Sequence, residues 1–174
     1  GPVSESEAAA ALRAVLGDDL GRMAHAMVED SEGTASDEAN LYALIQQMNI
    51  VQKVKLARLG NKEARGLLVR DRNKVVAVAA VSSPKLSDNE VVSIAQSRNV
   101  CDEVLRVISS NRHWTRNYKV KLSLATNPRT PQPTAMKFVN FLQDGDLRAI
   151  VKSKDVPTAI STHARRILMK KGKF

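Results

Sequence analysis

Apolar residues in this chain arrive in bursts of about ten positions, and Asn, Gly, Pro or Asp stands between one burst and the next. From residue 39 the bursts cover 39–48, 50–59, 62–70, 74–82, 88–96, 101–110, 116–126, 132–142, 144–152 and 157–170. No other feature constrains the fold as much. A helix of that length is marginal on its own in water, and each burst exposes an apolar face that it cannot cover itself. Stacking in antiparallel pairs buries those faces in one continuous core.

One stretch leaves the type of element open. In "NYKVKLSLATNPRTP", residues 117–131, Tyr118, Val120, Leu122 and Leu124 alternate with polar residues, which fits a half-buried strand. Comparing the chain with itself favours helix. At a shift of 44, this stretch lies over "NKVVAVAAVSSPKLS" from Asn73, with Asn73/Asn117, Val76/Val120 and Pro84/Pro128 identical. The earlier copy is rich in Ala, a good helix former and a poor strand former. A second match, at a shift of 56, sets residues 142–156 over 86–100. The two shifts differ by 12 residues, about one short helix, as the gain or loss of one helix in an array would leave. Corner residues agree: Ser87 and Glu90 form a capping box, Thr130 and Pro131 read as an N-cap and first helical position, and Gly60-Asn61 can end one helix and cap the next.

Residues 3–30 also read as helical, with Leu12, Leu16, Leu20, Met23 and Met27 at helical spacing and Gly17-Asp18-Asp19 as a break or kink. The polar run 30–38 reads as a linker. The expected organisation is an acidic N-terminal helix and linker over 3–38, followed by a basic helical-repeat domain over 39–170. Charge divides in the same place: residues 1–40 carry nine acids and two bases, while residues 41–174 carry 25 bases and nine acids. A basic body favours anionic partners, and the acidic segment could compete for the same surface. Gly1-Pro2 looks like the remnant of a tag-cleaving protease site and is set aside.

These repeats resemble those of bacterial HEAT-like and variant leucine-rich helical-repeat proteins. The resemblance is carried by "NYKVKLSLATNPRTP" at the corner and by "SRNVCDEVLRVISSN" and "SKDVPTAISTHARR" in the other half, over about residues 50–168. Stacked in antiparallel pairs, the helices give an all-α fold, a right-handed α-solenoid of short antiparallel helices or a compact curved helical array. The resemblance supports that architecture more than any activity, and the role expected of the chain is that of a bacterial adaptor protein. The extra burst around 132–142 breaks the family's spacing. HEAT-like repeats include DNA glycosylases, whose cleft needs aromatics beside a carboxylate. One Trp, two Tyr and three Phe leave little to build such a cleft from.

Catalytic and metal chemistry find little support in the spacing. His25, His113 and His163 are isolated from one another and from the single cysteine, Cys101. The acid pairs Asp18-Asp19, Asp102-Glu103 and Asp144/Asp146 sit where helices start, and carboxylates there complement the helix dipole. A non-enzymatic chain without a cofactor is expected, in the cytoplasm and without a membrane span.

The candidate site is a basic cluster: Arg98, Arg112, Trp114, Arg116, Tyr118, Lys119, Lys121, Arg129 and, through the 56-residue match, Lys154. Guanidinium groups bind carboxylate or phosphate bidentately, and an exposed Trp or Tyr can anchor a partner or stack a base. Three readings stay open: solvated bases around a Trp114 that packs between helices, a dock for an acidic or amphipathic protein segment, and a site for nucleic acid or a nucleotide.

Overall fold

The computed structural model describes residues 3–30 and 35–173. Among them are thirteen helices and no strand, so the protein is all-α. None of these helices is long and apolar enough to cross a membrane. The chain divides between Leu86 and Ser87 into two compact units.

The first unit holds α1 (Glu5–Gly21), α2 (Ala24–Val28), α3 (Ala35–Gln46), α4 (Ile50–Leu59), α5 (Lys62–Leu68) and α6 (Lys74–Val81). Ser4 caps α1, and Gly17, at φ 81°, interrupts it where the Gly-Asp-Asp break was expected. Asn49 and Gln52 form a reciprocal capping box at the start of α4. Leu12, Leu16, Met27 and Val28 are buried, and α1 packs against both α2 and α4. The acidic segment thus shares a core with the helices that come after it. Its apolar stripe needs a partner, whatever the charge on its outer face, so compactness follows burial and the division falls later than the change in charge. Of the expected linker, residues 31–34 lie outside the described residues and 35–38 belong to α3.

The second unit holds α7 (Asp88–Gln96), α8 (Asp102–Ser110), α9 (Arg112–Thr115), α10 (Tyr118–Thr126), α11 (Gln132–Val139), α12 (Asp144–Lys152) and α13 (Thr158–Lys170). The ambiguous stretch is helical: Val120 and Leu124, one turn apart, are buried on one face of α10, while Lys119 is exposed. Asn117 stops a single helix from running through 116–126, because its side chain caps α10 from outside and leaves α9 as a separate turn. The expected cap at Thr130 moves by one residue. α11 begins at Gln132 with Pro131 at the N-cap, and the buried hydroxyl of Thr130 has no hydrogen-bond partner among the described residues.

The sequence repeats have structural counterparts. At the 44-residue shift α6 lies over α10, and each is capped by an Asn, Asn73 or Asn117, that accepts from a first-turn N–H. The corner after each helix is also shared. Ser83 accepts from Lys85 N, and Asn127 accepts from Arg129 N. Each also donates to the end of an earlier helix of its own unit: Ser83 to Arg58 O at 3.5 Å, and Asn127 to Ala95 O and Ser97 O, both at 2.8 Å. At the 56-residue shift α7 lies over α12 and α8 over α13. The extra burst forms α11, which packs against α10 and α13.

Candidate anion-binding cleft

All of the formal net charge of +9 falls in the second unit, where residues 87–174 hold 16 of the 27 bases and seven of the 18 acids. Within that unit the end of α8, α9, α10 and α11 enclose a cleft of about 560 Å³. Asn111 sets its near wall. That residue ends α8 and accepts from Trp114 N at 3.1 Å, which turns the chain into α9. Arg112 and Arg116 then stand one helical turn apart and both line the cleft. α10 contributes Lys121, α11 contributes Lys137 and Phe138, and Phe141 closes the rim.

No acidic residue lines the cleft, and among the described residues none of its four cations is in an ion pair. Lys121 is half-buried, with its ammonium 5.4 Å from the Phe141 ring centroid, a cation–π contact worth about 0.5–1 kcal/mol at such a site. Phe141 is 59% exposed, while Phe138 behind it is buried. Two hydroxyls of the lining are already engaged by helix carbonyls: Ser109 donates to Arg106 O and Thr115 to Arg112 O. The cleft therefore offers fixed positive charge beside an uncovered apolar ring, an arrangement suited to an anionic group attached to something hydrophobic.

Three of the nine residues singled out in the sequence, Arg112, Arg116 and Lys121, come together here. The other six do not line the cleft. Arg98 and Lys154 are exposed in turns, after α7 and after α12, and Lys119 and Arg129 are exposed on and beyond α10. Trp114 is half-buried on α9. Tyr118 has a structural engagement: its hydroxyl donates to Asp146 Oδ2 at 2.5 Å and accepts from Gln143 N at 2.9 Å, tying α10 to the start of α12. Burial, and then the bond to Asp146, push its phenol pKa above the ordinary tyrosine value.

Lys137, Phe138 and Phe141 were not among the residues picked from sequence. The signal available was "KFVNF", which holds two of the chain's three phenylalanines beside a base, in the very burst that broke the repeat spacing. The isolated histidines have local partners: His163 hydrogen-bonds Asn140 at 2.8 Å, and His113 and His25 lie near Asp88 and Glu29. A second cleft, along α1 and α2, is lined by Ala9, Ala10, Ala14 and Ala24 together with Arg13, Arg22 and His25, without an aromatic ring.

Compared with protein-family models, curated proteins and solved structures, the chain matches none. The class to which its structure assigns it is that of all-α proteins built from short capped helices.

Proposed function

We propose that this chain is a non-enzymatic adaptor from a bacterial cytoplasm, a right-handed HEAT-like α-solenoid that grips an acidic or amphipathic segment of a protein partner in the α8–α11 cleft. One observation carries the reading: Arg112, Arg116, Lys121 and Lys137 converge beside the exposed ring of Phe141 with no acid among them. Charge-assisted hydrogen bonds from guanidinium groups contribute about 1.5–3 kcal/mol each, and an exposed aromatic ring provides the apolar anchor that interfaces favour. A groove on a helical array commonly holds an extended or helical peptide, and the recurrence of α6 in α10 and of α7 in α12 supports the array.

The charge of the second unit favours a different reading, nucleic acid or a nucleotide, and the same experiment separates the two. A photo-crosslinking phenylalanine in place of Phe141, expressed in the native cell, should capture a protein through an acidic segment. The double variant Arg112→Glu/Arg116→Glu should weaken that capture at least about a hundredfold without moving the melting temperature. The adaptor reading fails if the captured species is nucleic acid, or if capture persists when both arginines are reversed. Nucleic-acid binding would also fall by orders of magnitude between about 50 and 200 mM salt.

A further inference from the structure

Resting on that adaptor reading, we propose that the occupant of the cleft carries a phosphoryl group, as a phosphoserine or phosphothreonine within the partner's segment. The argument starts from charge. Four cations line one cleft of about 560 Å³ with no acid among the lining residues to compensate them, and like charges gathered in one cleft repel one another. A single carboxylate neutralises one of the four. A phosphoryl group brings about −1.5 to −2 charges at neutral pH and three acceptor oxygens on one atom, so it can meet several donors at once.

The donors are placed for such a group. Arg112 opens the single turn of α9 and Arg116, four positions on, closes it as its C-cap with helical backbone angles, so the two side chains lie on one face. Guanidinium forks take phosphate oxygens bidentately, whereas lysine acts as a compact charge. Lys121 and Lys137 approach from α10 and α11, on other walls of the cleft. Lys121 is held over Phe141 rather than free in solvent. Phe141, on the rim, can cover an apolar side chain next to the phosphorylated residue. The volume suits one such side chain with its neighbour, since pockets for small ligands span roughly 300–1,000 Å³.

The test uses the full chain and three fluorescent degenerate peptide pools that are alike except for the central residue, which is phosphoserine, glutamate or serine. Fluorescence anisotropy should show the phosphoserine pool binding at least tenfold more tightly than the glutamate pool, with the serine pool weakest. Arg112→Gln/Arg116→Gln should remove the preference. Lys137→Gln, on a different helix, should reduce it several-fold. Both changes are at exposed positions, and an unchanged melting temperature verifies the fold. Equal affinity for the glutamate and phosphoserine pools overturns the phosphoryl assignment and leaves the acidic-segment reading standing. A phosphoserine preference that survives both variants overturns the assignment to this cleft. If no pool binds while a single-stranded oligonucleotide binds through the same arginines, the assignment and the adaptor reading both fall.

Discussion

Replacing Asn127 with alanine should destabilise the second unit by about 3 kcal/mol. The side chain is 5% exposed and makes three hydrogen bonds. Its amide donates at 2.8 Å to the carbonyls of Ala95 and Ser97, where α7 ends, and its Oδ1 accepts from Arg129 N at 2.9 Å. A net contribution of about 1 kcal/mol per bond gives the total, and leaving the buried carbonyl of Ala95 without this donor adds to it. The single tryptophan, Trp114, lies in the same unit and provides the probe. With a urea m-value of roughly 1–1.5 kcal/mol/M for a unit of this size, the midpoint of the fluorescence transition should fall by about 2–3 M with an unchanged slope. Asn127→Asp sharpens the test: it keeps the acceptor but turns a carboxylate toward two carbonyl oxygens. It should therefore be at least as damaging at neutral pH and milder in acid, where the protonated group can donate. A loss below about 0.5 kcal/mol for the alanine variant, or an aspartate variant as stable as wild type at pH 7, would refute the reasoning.

Two more outcomes rest on individual contacts. A Cβ on Gly60 would stand 2.5 Å from Leu56 O and 2.8 Å from Ala64 Cβ, so Gly60→Ala should lower stability by about 1–3 kcal/mol despite its ordinary φ of −70°; a thermal midpoint equal to or above wild type would contradict this. Tyr118→Phe removes the donor to Asp146 and the acceptor for Gln143 N, and should cost about 1–2 kcal/mol near neutrality. Because the folded phenol pKa is raised, the stability it contributes is complete below the ordinary value of about 10 and is lost as pH rises through the folded value. An alkaline urea series should thus show wild type and the phenylalanine variant converging, and a constant gap would count against the bond.

The helices were legible because their boundaries are written in local chemistry. Asn49, Asn61, Asn73, Ser87 and Asn117 each cap a helix through contacts within three residues, and such contacts depend on sequence spacing alone. The helical reading of residues 118–126 came from likeness to residues 74–81, since alternation over so short a run fits either element. The cleft was legible only in part. Arg112, Arg116 and Lys121 stand close together in sequence, whereas Lys137 and Phe141 reach them only through the packing of α10 on α11. Trp114 and Tyr118 looked available because rarity and charge around a residue say nothing about its hydrogen bonds. The hydroxyl of Tyr118 is committed to Asp146, 28 positions along the chain. The division between Leu86 and Ser87 was hidden for the same reason: charge changes near residue 40, but burial of Leu12, Leu16, Met27 and Val28 joins the N-terminal helices to the rest of the first unit.

The side chains of Asn61 and Asn127 also bear on how the polypeptide acquires its form. Asn61 reaches back 35 and 32 residues to the carbonyls of Ala26 and Glu29, and Asn127 reaches back 32 and 30 to those of Ala95 and Ser97. Closing loops of that length carries a modest entropic penalty, and nearby closures favour rapid assembly. During synthesis, each latch can engage once some three dozen further residues have left the ribosome, so the architecture can grow by instalments, without waiting for its far end.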